Sequence, residues 1–190
     1  FSACGNCTWC SRGDENLCPD FRGTGRDADG GYAELMVVPA AFAAPIPDAL
    51  ADTEAAPLLC AGAIGYRSLR LSGAADGAMI GLTGFGASAH LVLAMIRGRY
   101  PDATVCVFAR DPGQREFALD RGAAWAGATA DAPPAKLDCI IDTTPAWKPV
   151  VAALEHLAPG GRLVINAIRK ESGDAGELAR IDYAAHLWEE

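Results

Sequence analysis

AMIGLTGFGASAHLVLAMI, residues 78–96, runs for nineteen residues without Asp, Glu, Lys or Arg. By length alone it could cross a bilayer. Gly81, Gly84 and Gly86 interrupt its first half and His90 sits in its second, so it reads instead as a buried strand, a glycine turn and a buried helix. The turn Gly84-Phe85-Gly86-Ala87-Ser88-Ala89 fits G-x-G-x-x-G/A. In that motif the first glycine permits the tight turn and the second lets backbone approach a pyrophosphate. The small third residue allows helix and strand to pack closely, and the helix N-terminus faces the phosphates. Alone the motif is weak, because structural βα turns also use glycine. Its neighbours decide how it is read.

Downstream the rhythm continues. Strand-like TVCVFA (104–109) precedes helix-like PGQREFALDRG (112–122), with Pro112 suited to a first helical turn. Strand-like DCIIDT (138–143) precedes AWKPVVAALEHLAPGG (146–161), read as helix, and then RLVINAI (162–168), read as strand. Strands alternating with helices of this length predict βαβ units and a parallel sheet, and the near-continuous apolar strands predict a sheet covered on both faces. The fold class is therefore α/β, a Rossmann-type doubly wound sheet. In that context the glycine turn reads as a dinucleotide site at Gly84, Gly86, Ala87, Ser88 and Ala89.

Upstream, GGYAELMVVP (30–39) reads as a β-rich run after a Gly-Gly turn, and residues 44–73 pass from a Pro-rich linker into helix, with Asp52 or Thr53 as cap and Glu54 in the first turn. The net charge is −8 and the basic residues are scattered, which argues against nucleic acid or an anionic membrane as partner. No positive segment followed by an apolar one opens the chain, so no signal peptide is visible and a cytoplasmic protein is expected.

The first residues hold four of the seven cysteines, Cys4, Cys7, Cys10 and Cys18, spaced C-x2-C-x2-C-x7-C. A disulfide framework fits a small secreted scaffold and sits poorly beside an α/β sheet. An iron–sulfur cluster shares the C-x2-C-x2-C start and the final Cys-Pro, but the ferredoxin run has three residues before its last Cys, and no second cysteine cluster follows. A Zn(Cys)4 site needs four thiolates on a folded-back loop, which three close cysteines and a returning fourth supply. Zinc fits this spacing better than either alternative.

The cysteine run, DGGYAEL (29–35), APLLCAGAIGYRSL (56–69) and GLTGFGASAH (81–90), in that order, resemble the zinc-dependent alcohol dehydrogenases of the medium-chain dehydrogenase/reductase superfamily. CAGAIGYRSLR and DYAAHLWEE are similar to bacterial members described as propanol-preferring. The resemblance implies part of a GroES-like catalytic domain with a structural-zinc lobe over residues 1–59 and an NAD(P)-binding domain over residues 60–190. Cys4, Cys7, Cys10 and Cys18 match the structural zinc ligands, and Cys60 matches one ligand of the catalytic zinc. In such a Cys2His site the metal polarises the alcohol oxygen while hydride passes to the nicotinamide. The family's first catalytic Cys and its Gly-His-Glu motif would precede residue 1, and a return to the catalytic domain would follow residue 190. A central piece of a longer enzyme is thus expected, inactive by itself toward its alcohol or aldehyde; its oligomeric state is open. Ile64 stands where many relatives carry Thr beside the nicotinamide. Two rivals are a zinc-free quinone-reductase-like member, which would lack the cysteine lobe, and a non-catalytic zinc-clipped nucleotide sensor or scaffold.

Cofactor choice is read at the end of the second strand. An acid there holds the adenosine ribose diol and selects NAD. Here Ala109 takes that place and Arg110 follows, which favours NADP over NAD; Asp111 opposes this if it pairs with Arg110 or reaches the diol. Cys106 and Cys139 lie in apolar strands and read as core. His90, His156 and His186 read as packing or surface residues, and Asp142 as a strand-end cap or a neighbour of the cofactor.

Overall fold

A computed structural model describes residues 1–188 as two compact units, Phe1–Leu50 and the chain from Ala51 onward. The first unit has little regular structure. Two short 3-10 turns, Cys10–Arg12 and Glu15–Leu17, carry the cysteine run. Ser2 and Arg22 exchange backbone hydrogen bonds of 2.9 Å, and Phe1 stacks on Phe21 at 5.3 Å. The β-rich run at 30–39 forms no strand: Tyr32, Leu35 and Val37 are almost fully exposed. A strand exists only through ladder bonds to a neighbour, and among the described residues none pairs with this run.

The second unit opens with helix α1 (Asp52–Ala55), a 3-10 turn (Ala56–Leu59) and α2 (Ala61–Ser72). The predicted single helix is broken at Cys60, whose backbone (φ −122°, ψ −74°) is non-helical. Ala51, not Asp52 or Thr53, is the cap residue of α1, and Glu54 supports it by accepting the Ala51 N–H at 2.9 Å. Then come β1 (Met79–Thr83), α3 (Ala87–Arg99), β2 (Thr104–Phe108), α4 (Pro112–Asp120), β3 (Trp125–Gly127), β4 (Leu137–Asp142), α5 (Lys148–Leu154), β5 (Leu157–Ile165) and α6 (Tyr183–His186). The five strands form one parallel sheet in the order β3-β2-β1-β4-β5. The apolar stretch at 78–96 is thus β1, the turn and α3, and no described helix is long and apolar enough to cross a membrane.

Both faces of the sheet are covered, as the continuous apolar strands require. Ile80, Leu82, Val105 and Val107 pack with Val92, Leu93 and Ile96 of α3 and Leu69 of α2. The alternate residues Cys106, Phe108 and Ile140 pack on the other face with Ala153 of α5. Each fully buried aliphatic side chain here contributes roughly 1.5–3 kcal/mol. Two elements differ from the sequence pattern. β3 is too short to show a period. β5 begins at Leu157, inside the stretch read as helix, because Leu137 pairs with Leu157 before the register shifts and Cys139 pairs with Arg162. Pro159, Gly160 and Gly161 occupy the irregular part.

Candidate functional site

The four cysteines of the first unit converge. Their Sγ atoms all lie within 4.8 Å of one another, with Cys4 to Cys10 at 3.9 Å and Cys7 to Cys10 at 3.5 Å. Four thiolates about 2.3 Å from one tetrahedral ion stand about 3.8 Å apart, so the group is sized for zinc. Backbone N–H groups point at the sulfurs: Cys4 N–H donates to Cys18 Sγ at 3.4 Å and Cys10 N–H to Cys7 Sγ at 3.5 Å. The latter bond, ahead of those from the Cys10 and Cys4 thiols, draws the Cys7 thiol down to about 7. Desolvation, aided by the neighbouring thiols, pushes Cys10 up to about 12. A dication at the centre would reverse that resistance and ionise the set.

The second unit carries a cavity of about 780 Å³ at the C-terminal ends of its strands. Gly84, Gly86, Ala87 and Ser88 line one side, Arg110, Asp111 and Gln114 another, and Thr143, Thr144 and Lys148 a third. Gly84 has φ +78°, a conformation that costs a side-chain-bearing residue energy. A Cβ on Gly86 would meet nothing within 4 Å, so a ligand can reach its backbone. Gly86 caps α3 without a side-chain acceptor, which leaves first-turn N–H groups for an anion. α4 opens on the same cavity but is satisfied, since Asp111 Oδ1 accepts the Gln114 N–H at 2.9 Å. One helix end is closed by its own carboxylate and the other is left open to a phosphate. The donor set therefore fits a dinucleotide.

The Alcohol dehydrogenase GroES-like domain family matches residues 1–48. A "Probable alcohol dehydrogenase AdhA" of Mycobacterium tuberculosis is 46% identical over 189 residues, covering 98% of this chain and 52% of the relative. Among solved structures, a zinc-binding dehydrogenase of Sinorhizobium meliloti bound to NADP superposes with a TM-score of 0.81 at 25% identity, over 99% of this chain and 57% of that one. A protein described as a short chain alcohol dehydrogenase of Escherichia coli CFT073, in complex with NADH, gives 0.78 at 28%, over 90% and 52%. The chain is similar to alcohol dehydrogenases along nearly its whole length, and residues 1–48 match their GroES-like domain family. It spans about half the length of the curated relatives that it matches along most of its own.

The residues read from sequence fall in different places. Gly84, Gly86, Ala87, Ser88 and Arg110 meet at the cavity. Ala89 and Ala109 are buried behind it, Ala89 in the core under α3 and Ala109 through an N–H donated to Gly127 O at 2.9 Å. Cys60 is exposed, does not line the cavity, and joins no group of three or more metal-ligating side chains among the described residues. His90 packs against Phe85 and Phe117, and His156 stacks on Phe108 at 5.4 Å; desolvation lowers the His156 pKa. Cys106 and Cys139 are buried in the core, where burial raises both thiols. Asp142 is fully buried and is a strand-end anchor. Sequence reasoning assigns no site role to Thr143 and Thr144 of the loop after β4, or to the residues from Lys170 to Asp174. The rule that ligands sit beyond the carboxyl ends of parallel strands points to the loop; nothing local points to residues 170–174.

Proposed function

We propose that the chain supplies the structural-zinc lobe and the nicotinamide-dinucleotide domain of a zinc-dependent alcohol dehydrogenase that interconverts an alcohol and an aldehyde. The observation that carries this is an uncapped α3 N-terminus with an open Gly86 backbone, in a chain 46% identical to a named alcohol dehydrogenase. Cys4, Cys7, Cys10 and Cys18 would hold a zinc that has no open position and so is structural. Cys60 would be one ligand of a second, catalytic zinc; this chain's own residues do not complete that site. When bound, that zinc supplies Lewis acidity toward the alcohol oxygen and the nicotinamide takes the hydride. The α3 N–H groups bind the pyrophosphate, and Gly84 and Gly86 keep side chains out of its way.

NADP is the favoured cofactor. Ala109 offers no carboxylate, and the Arg110 side chain is exposed at the cavity without a hydrogen bond or ion pair among the described residues, its backbone carbonyl alone accepting from Arg115 at 3.0 Å. Asp111, the residue that could reverse this, has one carboxylate oxygen committed to capping α4. Titration of full-length protein with NADPH and NADH tests the choice. Arg110→Ala is expected to weaken NADPH selectively by roughly 1.5–3 kcal/mol, the worth of a hydrogen bond to a charged group. A wild-type preference for NADH that Asp111→Ala removes would refute it. In alcohol-dependent reduction assays the 190-residue chain alone is expected to be inactive, and Cys60→Ser in the full-length protein to lose most turnover while still binding dinucleotide.

A further inference from the structure

The loop after β4, residues 143–148, forms one wall of the cavity, yet it supplies few of its own hydrogen bonds. Five of its backbone polar groups are held by residues 170–174. Lys170 Nζ donates to Thr144 O at 2.8 Å and Ala146 O at 2.9 Å, and its third bond goes to the Asp142 carboxylate. An ammonium has three donors, so Lys170 is saturated. Glu171 N–H donates to Pro145 O at 2.8 Å, and Asp174 Oδ2 accepts the N–H groups of Trp147 and Lys148, each at 2.8 Å. Three carbonyls and two N–H groups in succession are thus gripped from a segment twenty-odd residues away.

The same network reaches the phosphate turn. Asp142 Oδ1 accepts from Thr83 Oγ1 at 2.6 Å and Thr144 Oγ1 at 2.8 Å, and Thr143 Oγ1 donates to Thr83 O at 3.0 Å. Thr83 is the last residue of β1 and immediately precedes Gly84. A Cβ on Gly84 would lie 2.9 Å from Thr144 Cγ2 and 3.0 Å from Thr143 Oγ1, so the loop rests directly on the first glycine of the motif. Lys170 therefore holds together the end of β1, the end of β4 and the cavity wall between them. Its side chain is 11% exposed and that of Asp142 is 0% exposed.

We propose that Lys170 is a positioning residue for dinucleotide binding, holding loop 143–148 against the glycine turn so that the cavity keeps the shape the cofactor needs. This rests on the reading of the cavity as a dinucleotide site. The test is the Kd of NADPH and NADH for full-length wild type, Lys170→Met and the double variant Asp142→Asn/Lys170→Met. The double variant leaves no uncompensated buried charge. Lys170→Met is expected to weaken the preferred dinucleotide roughly tenfold or more. The double variant is expected to regain thermal stability without regaining affinity, because nothing replaces the Lys170 ammonium that ties the carbonyls of Thr144 and Ala146 to residue 170. A folded Lys170→Met with wild-type affinity overturns the proposal, as does a double variant in which stability and affinity return together, since Lys170 is then an ion-pair partner only. If neither variant folds, Lys170 is a stability element and the proposal fails. If wild type binds neither dinucleotide, the reading of the cavity fails first and takes this inference with it.

Discussion

Among residues 1–50 the one buried side chain is Cys18, one of the four clustered cysteines, while the unit from Ala51 onward buries Ile80, Leu82, Leu93, Ile96, Val105, Val107, Ile140 and Ile141 at or near zero exposure. The two regions belong to one chain and hold themselves together by different physics. The first leaves large apolar side chains such as Tyr32, Leu35 and Val37 exposed, and on the reading proposed above its order would come from four sulfurs placed to share an ion. The second is an aliphatic core that needs no ion. Metal and hydrophobic burial are therefore separable sources of order, and each region should fail under its own perturbation.

The largest expected effect separates them outright. Stripping zinc with a chelator should unfold residues 1–50 and leave the sheet intact, since apparent structural-zinc energies run to about 10–16 kcal/mol in small zinc domains. Limited proteolysis should then cut only within residues 1–50, and Cys10→Ser should mimic the chelator. Loss of amide protection in β1 and β2 at the same chelator concentration would break the comparison, and a brown protein containing iron and labile sulfide would replace zinc as its basis. Next in size, Leu82→Ala should cost the second unit about 2–5 kcal/mol in urea unfolding, with zinc content unchanged. A variant that loses zinc with its core would show the two regions to be coupled.

Two smaller effects sharpen the second region alone. Asp111→Ala removes the acceptor that caps α4 and should cost about 0.5–2 kcal/mol. Hydrogen exchange should localise that loss to Pro112–Asp120. The smallest effect is the pH dependence from His156, whose pKa desolvation lowers below its ordinary 6.5, against a raising influence from Glu155 and with a further lowering one from Lys136. The unfolded chain then binds the proton more readily, so the His156 contribution is full above about pH 6.5 and is lost as pH falls from there through the folded value. His156→Phe should flatten that part of the stability profile; an unchanged slope between pH 7 and 5.5 would remove His156 as its source.

Much of the sheet was legible before any coordinates. β1, β2 and β4 are short apolar runs, and α3 and α4 follow signals that act within a few residues: a glycine turn, and Pro112 at a first turn. The Cys4–Cys18 spacing and the G-x-G-x-x-A turn were legible for the same reason, since ligand spacing on a loop and backbone freedom at glycine are local properties. The start of β5 was hidden because LAPGG carries helix-ending signals, and only pairing with Leu137 draws Leu157 into the sheet. The apolar run at 30–39 read as a strand, but ladder bonds belong to a pair of segments and not to one. By itself the sequence determined the parallel α/β fold, the cysteine loop and the glycine turn. Tertiary structure alone decided that Asp142 is buried beneath the cavity and that Lys170 reaches back 28 residues to hold its wall. Those outcomes depend on which side chains meet across the sheet, and separation along the chain carries no record of that.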